Sequence, residues 1–257
     1  MKTTALRFYL PRPQAKRLLI CFPHAGGAAS AFRAWPWLFN DNLEVAAIQY
    51  PGREDRYGHR LVDDMNVLLA QLQTVLLPVV ARMPYALLGH SMGGAIAHEL
   101  AQRLSRLGKP PQHLFISGRQ PPRFHPLDSQ IHQGSDTQLL AELQRLSRDN
   151  QALIDSPELS ELLLPIIRND YRLIENYRPG PAELLSCPIT VLAGRDDPEL
   201  PACQAHGWSD YSRQGCRVHF FPGDHFFISR ERIAVVTVVQ QALNAVFSSY
   251  REGQING

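Results

Sequence analysis

The chain has 257 residues, 44% hydrophobic and 19% charged, with a formal net charge of +2. This length and apolar content suit one sizeable domain with its own core, and they exclude a fibrous or disordered chain. Only Lys2, Lys16 and Lys109 of the 26 basic residues are lysine, and acids balance them almost evenly, so nucleic acid is not an expected partner.

Taken from the start, MKTTALRFYLPRPQAKR has neither the unbroken apolar stretch nor the small-residue cleavage site of a signal peptide. Strand-like runs follow at 17–22 (RLLICF), 43–50 (LEVAAIQY), 85–90 (YALLGH), 113–118 (HLFISG), 188–194 (PITVLAG) and 217–223 (RVHFFPG). Several are continuously apolar, as strands covered on both faces of a parallel sheet should be. Helical spacing fills 61–80, 92–107 and 230–247. The fold class is therefore α/β, a mostly parallel central sheet flanked by helices.

One interval breaks the alternation. QPPRFHP opens a stretch without a strand, 120–182, that carries helical patterns near 136–148 and 157–177. It reads as a helical insertion, or lid, dividing the core into 1–119 and 183–250, with 251–257 as a flexible tail. Pro165 predicts a kink in the second helix. The apolar residues Leu162, Leu163, Ile166, Ile167 and Leu173 either line a chamber or, as helical spacing favours, pack against the sheet. No apolar run reaches the ~18 residues of a membrane helix, which points to a soluble, cytoplasmic protein without membrane association. Cys21, Cys187, Cys203 and Cys216 lack metal-ligand spacing, so reduced thiols and no metal are expected. With no heptad or long exposed apolar pattern, a monomer is expected.

The chemistry is concentrated where the apolar run 85–90 meets Gly89-His90-Ser91-Met92-Gly93 and a helix begins. A serine on so sharp a strand-to-helix turn needs glycine two residues to either side, because side chains there would strike the neighbouring strand or helix. The pattern is similar to the nucleophile elbow of α/β-hydrolases, in which base and acid follow the serine in the order Ser, Asp/Glu, His. His24, His59 and His90 precede Ser91, His98 follows on its helix, and His125 and His132 fall in the insertion. His225, in the turn PGDHFF after the last strand, is the candidate base. Asp196 and Asp197 both follow the preceding strand, and Asp197, three residues past Gly194, is the better placed acid. Asp196 and Asp224 read as turn residues. Backbone amides of Met92 and of Ala25, in FPHAGGAAS, are the candidate oxyanion donors.

Beyond these residues, FPHAGG (22–27), YPGRE-x-R (50–56), GHSMGG (89–94), SGR-x-PP (117–122), RNDYRLIENYRP (168–179), GRDDP (194–198) and GDHFF (223–227) resemble the type II thioesterases that accompany nonribosomal peptide and polyketide synthases. The match runs in order along essentially the whole chain. The resemblance implies an α/β-hydrolase fold and a Ser91-His225-Asp197 triad without a cofactor of its own. It also implies hydrolysis of acyl or aminoacyl thioesters from the phosphopantetheine arm of carrier domains, clearing stalled or wrongly loaded groups. Carrier domains are generally acidic near that arm, so Arg53, Arg56, Arg119 and Arg123 are candidate carrier or substrate contacts; for Arg53 and Arg56 the alternative is pairing with Glu54, Asp55 or the insertion. Two rival enzymes share the triad: a small-molecule carboxylesterase and a medium-chain acyl thioesterase. A non-catalytic binding protein on this scaffold would lack part of the triad.

Overall fold

The computed structural model describes the backbone of residues 5–255 and the side chains of 5–246. Its strands are β1 (Leu6–Arg7), β2 (Arg17–Phe22), β3 (Leu43–Ile48), β4 (Tyr85–His90), β5 (His113–Ser117), β6 (Ile189–Gly194) and β7 (Cys216–Phe221). They form one sheet in the order β1-β3-β2-β4-β5-β6-β7. All pairings are parallel except that of β1, whose Leu6 and Arg7 lie antiparallel to Ile48 and Ala47. Six strands match the apolar runs of the sequence. β1 does not appear there, because a two-residue strand has no periodicity to read.

The unbroken apolar runs have the expected cause. Along β2, Leu18, Ile20 and Phe22 face one side, with Leu69, Leu72 and Leu76 of α1 (Met65–Val80) and Ile96 and Leu100 of α2 (Met92–Arg106). Leu19 and Cys21 face the other, with Val235, Val239 and Leu243 of α8 (Arg232–Ile255). Each buried leucine contributes about 1.5–3 kcal/mol, so the two layers hold the sheet from both faces. The backbone of α8 continues through 251–255, part of the expected tail; residues 256–257 lie outside the described residues.

Strand order reverses beside β2, which is flanked by β3 on one side and β4 on the other. In open parallel sheets a ligand crevice forms at such a reversal, beyond the carboxyl ends of the strands. The insertion lies over this edge as α3 (Asp136–Leu146), α4 (Gln151–Asp155) and α5 (Pro157–Asn176). Local chemistry starts these helices: Ser135 and Gln138 form a reciprocal capping box, while the Ser156 hydroxyl accepts from the Leu159 amide ahead of Pro157. Leu139, Leu143, Leu164 and Ile167 make a small core inside the insertion, whereas Leu173, Ile174 and Tyr177 join the main core. Helix α5 runs without interruption through Pro165, which is exposed to solvent. Two short helices, α6 (Ala202–Ala205) and α7 (Phe227–Arg230), follow β6 and β7 respectively.

Candidate active site

Ser91 sits between the end of β4 and the first residue of α2, at φ 55° and ψ −119°. A non-glycine residue held there stores about 1–3 kcal/mol of backbone strain, offset by its surroundings. Its amide donates to the Ser117 carbonyl on β5 at 2.8 Å. The flanking glycines are obligatory: a Cβ on Gly89 would lie 2.0 Å from the Gly93 carbonyl oxygen, and one on Gly93 would lie 2.1 Å from that of Phe22. Met92 occupies the first helical position, where an amide has no intrahelical acceptor, so its N–H and the positive end of α2 face the space beside Ser91.

The turns after β6 and β7 bring acid and base together. They are pressed so closely that a Cβ on Gly194 would lie 2.4 Å from the Asp224 carbonyl oxygen. His225 Nδ1 stands 2.9 and 3.0 Å from the two carboxylate oxygens of Asp197, and both side chains are shut off from solvent. Asp197 Oδ1 also accepts from the Glu199 amide at 2.9 Å, which fixes the carboxylate plane. Asp196 is exposed. Asp224 is a turn residue that accepts from the Phe226 amide and the Ser147 hydroxyl.

Ser91, His225, Met92 and Ala25 open onto one cavity of about 280 Å³ roofed by the insertion. From α3 and α5 come Leu143, Leu146, Tyr171 and Ile174; of the apolar residues expected to line a chamber or pack against the sheet, none lines the cavity: Leu173 joins the main core, Leu163 and Ile167 pack within the insertion, Ile166 is buried and Leu162 is exposed. The wall is also charged, with Arg145 paired to Glu142 at 2.8 Å and to Glu199. Glu175 closes another part, taking hydrogen bonds from the Ser129 hydroxyl, the Ile131 and His132 amides and His132 Nδ1. Burial opposes ionisation of Glu175, but these donors prevail and lower its pKa.

Two more histidines surround His225. The His90 ring is centred 5.0 Å from it, and His24 borders the cavity against Phe226. Burial first, and the nearby His225 second, push His24 down to about 4 and His90 well below its ordinary value. Both are therefore neutral at pH 7; His225 differs from them in having a carboxylate partner, Asp197.

The arginines separate into two groups. Arg53 is buried against Asp170 of α5, the pairing with the insertion that the sequence left open, and its head is withdrawn from the surface. Arg119 is buried too, lines the cavity and meets His125 Nδ1 at 2.6 Å. Arg56 is half-buried and donates to the Gln49 carbonyl at 2.7 Å. Arg123 is exposed and paired with Asp210. The four do not form one surface rim. Glu142, Arg145 and Glu199 were not singled out in the sequence, where as charged residues they carry no distinguishing local pattern; Tyr171 and Glu175 fall in the RNDYRLIENYRP stretch, but no role in the site was read for them. Among the described residues, no three His, Cys, Asp or Glu side chains cluster as a metal site. All four cysteines are free; Cys21 and Cys187 are buried, Cys216 is half-buried and Cys203 is exposed. No helix among the described residues is long and apolar enough to cross a membrane.

A thioesterase domain family model matches residues 17–243. A probable cadicidin biosynthesis thioesterase of Streptomyces griseus is 38% identical over 93% of this chain, which spans 66% of that relative's length. The gramicidin S biosynthesis protein GrsT of Aneurinibacillus migulanus is 32% identical, with 91% of each chain covered. Among solved structures, the type II thioesterase BorB from the borrelidin biosynthetic cluster superposes with a TM-score of 0.83 at 37% identity, covering 93% of this chain and 97% of BorB. With its mostly parallel sheet, its serine on the β4–α2 turn and these relatives along nearly its whole length, the chain belongs to the thioesterase family of the α/β-hydrolase fold and is a thioester hydrolase.

Proposed function

We propose that this protein hydrolyses acyl or aminoacyl thioesters held on the phosphopantetheine arm of carrier domains, removing stalled or wrongly loaded groups from a nonribosomal peptide or polyketide synthase. The observation that carries the reading is His225, held by buried Asp197, sharing a cavity with Ser91 on its strained turn. In the first step His225 Nε2 takes the Ser91 proton as the hydroxyl attacks the thioester carbonyl. The amides of Ala25 and Met92 hold the oxyanion, and the arm departs as a thiol. Water deprotonated by the same histidine then releases the acyl group from serine. Asp197 fixes the His225 tautomer and stabilises the imidazolium in both steps. The sequence uses no cofactor of the protein's own; the pantetheine arm belongs to the substrate.

The charged groups in the cavity wall favour a short acyl or aminoacyl group. Arg119, Glu142, Arg145, Glu175 and Glu199 place charge around the space beyond Ser91, where a long alkyl chain would have to cover ionised groups without replacing their partners. A medium-chain acyl thioesterase would need a more uniformly apolar wall. We further propose that the enzyme acts as a cytoplasmic monomer, and that exposed Arg123 offers positive charge to an acidic carrier.

The test compares one short acyl group presented as a carrier-protein thioester, a pantetheine thioester and an oxygen ester, with Ser91→Ala as blank. Preference for the carrier thioester, lost in Ser91→Ala, is the expected result. Equal cleavage of the oxygen ester with no gain from the carrier would replace this reading with that of a general carboxylesterase.

A further inference from the structure

The loop that carries Ala25 is held from outside its own neighbourhood in sequence. Asp170, on α5 of the insertion, is 2% exposed. Its Oδ2 accepts from the Gly26 amide at 2.8 Å and from Arg53 Nη1 at 2.7 Å, while Oδ1 accepts from Arg53 Nη2 at 2.8 Å. Arg53 Nη1 also donates to the Gly27 carbonyl at 2.9 Å. One carboxylate and one guanidinium thus close a ring around two consecutive residues of the loop. Ile167, one helical turn before Asp170, presses on the same point: a Cβ on Gly26, which has φ +76°, would lie 2.5 Å from Ile167 Cγ1. The rest of the loop is held from the segment after β3, with Tyr50 Oη donating to the Pro23 carbonyl and Gln49 Oε1 accepting from the Ala29 amide.

We propose that Asp170 is a positioning residue for catalysis: through Gly26 and Arg53, the insertion sets the direction of the Ala25 amide, so the oxyanion hole is complete only while α5 is seated on the loop. This rests on the reading of Ser91 as nucleophile and Ala25 as oxyanion donor. The Gly26 N–H belongs to the peptide plane that immediately follows Ala25. Anchoring it on Asp170 fixes one of the two peptide planes that meet at Ala25 and so limits how far the Ala25 amide can turn out of the cavity. An ionised acceptor makes that anchor short and stiff, and an oxyanion donor contributes only when aimed at the oxyanion's position beforehand. The buried ion pair need not add stability to be retained, since such pairs often do no better than apolar replacements.

The experiment measures kcat, KM and melting temperature for Asp170→Asn, Asp170→Ala and the double variant Arg53→Met/Asp170→Leu on one acyl-pantetheine thioester. Affinity for a pantetheine trifluoromethyl ketone, which forms an oxyanion on Ser91, and for a non-hydrolysable thioether is measured alongside. The double variant leaves no unpaired buried charge and so separates folding from positioning. The expected result is a fall in kcat of about 10- to 100-fold in Asp170→Ala and in the double variant, short of the full loss of a donor, and a smaller one in Asp170→Asn, whose amide oxygen still accepts from Gly26. KM and thioether affinity stay within about two-fold, and ketone affinity falls with kcat. A double variant that melts like the parent and keeps its kcat and ketone affinity would overturn the proposal. Parent turnover abolished by Ser91→Ala, run on the same substrate, tests the underlying reading separately from Asp170.

Discussion

Replacing Asp197 by Asn probes the site with almost no change of shape. The carboxylate is shut off from solvent, 2.9 and 3.0 Å from His225 Nδ1, and takes the Glu199 amide at 2.9 Å. An asparagine can keep the Glu199 bond through its oxygen, which turns its NH2 towards His225. That NH2, at the Oδ2 position 3.0 Å from Nδ1, favours a ring whose Nδ1 accepts and whose proton sits on Nε2, the nitrogen that has to take the proton of Ser91, and it competes with the amide oxygen at the Oδ1 position, 2.9 Å from the same nitrogen. The imidazolium formed during attack also loses its counter-charge. In serine hydrolases this exchange costs up to about 10⁴ in kcat, and 10³–10⁴ corresponds to about 4–5.5 kcal/mol of transition-state stabilisation. The expected outcome is a loss of that size in kcat with KM nearly unchanged, read by chromatographic product formation from an acyl-pantetheine thioester. A loss below ten-fold, in a preparation where Ser91→Ala is inactive, would refute the assignment of Asp197 as the orienting acid.

Three further outcomes follow from the same geometry. Gly93→Ala places a methyl 2.1 Å from a backbone oxygen that cannot move aside; a cost of about 3 kcal/mol or more should lower the melting temperature by roughly 10 °C, and an unchanged melt would contradict the description of the turn. Burial holds His98 at about 4 in the folded chain, against 6.5 in the unfolded one. The unfolded chain therefore binds the extra proton between these values, so stability is complete above pH 6.5 and falls towards pH 4, by a loss on the order of 1–3 kcal/mol at pH 4.5 from this residue; urea midpoints that do not move between pH 7.5 and 4.5 would count against it. Arg123→Ala breaks an exposed pair, so stability should change by less than about 1 kcal/mol, while kcat/KM falls several-fold, in a salt-dependent way, for the carrier thioester alone; an equal fall with pantetheine would place Arg123 off the carrier's path.

Candidate residues whose placement is set by their immediate neighbours were legible in the sequence. Ser91 lies between two glycines, at the junction of an apolar strand and an amphipathic helix, and His225 and Asp197 follow the last two strands, so chain order alone aligned them. Two helices of the insertion, α3 and α5, could be read from their spacing, whereas the five-residue α4 is too short to show a period. Pairings across long separations could not. Arg53 and Asp170 are 117 residues apart, and nothing in YPGRE distinguishes an arginine facing a carrier from one buried against α5. The charged cavity wall was hidden for the same reason, since Glu142 and Arg145 look like an ordinary surface pair on α3 until α3 is seen to roof the cavity. A two-residue strand such as β1 leaves no pattern, because its place is decided by the edge of β3.

The central claim is that the acyl group passes from the carrier arm to Ser91 before water removes it. Acid-quenched intact-mass and peptide measurements during turnover of an acyl-carrier thioester test it most directly. The account predicts a transient mass increase equal to the acyl group on the peptide containing Ser91, decaying as free acid forms, with neither adduct nor hydrolysis in Ser91→Ala. Deacylation of the carrier that persists in Ser91→Ala, with no acyl adduct on the parent protein, would contradict it.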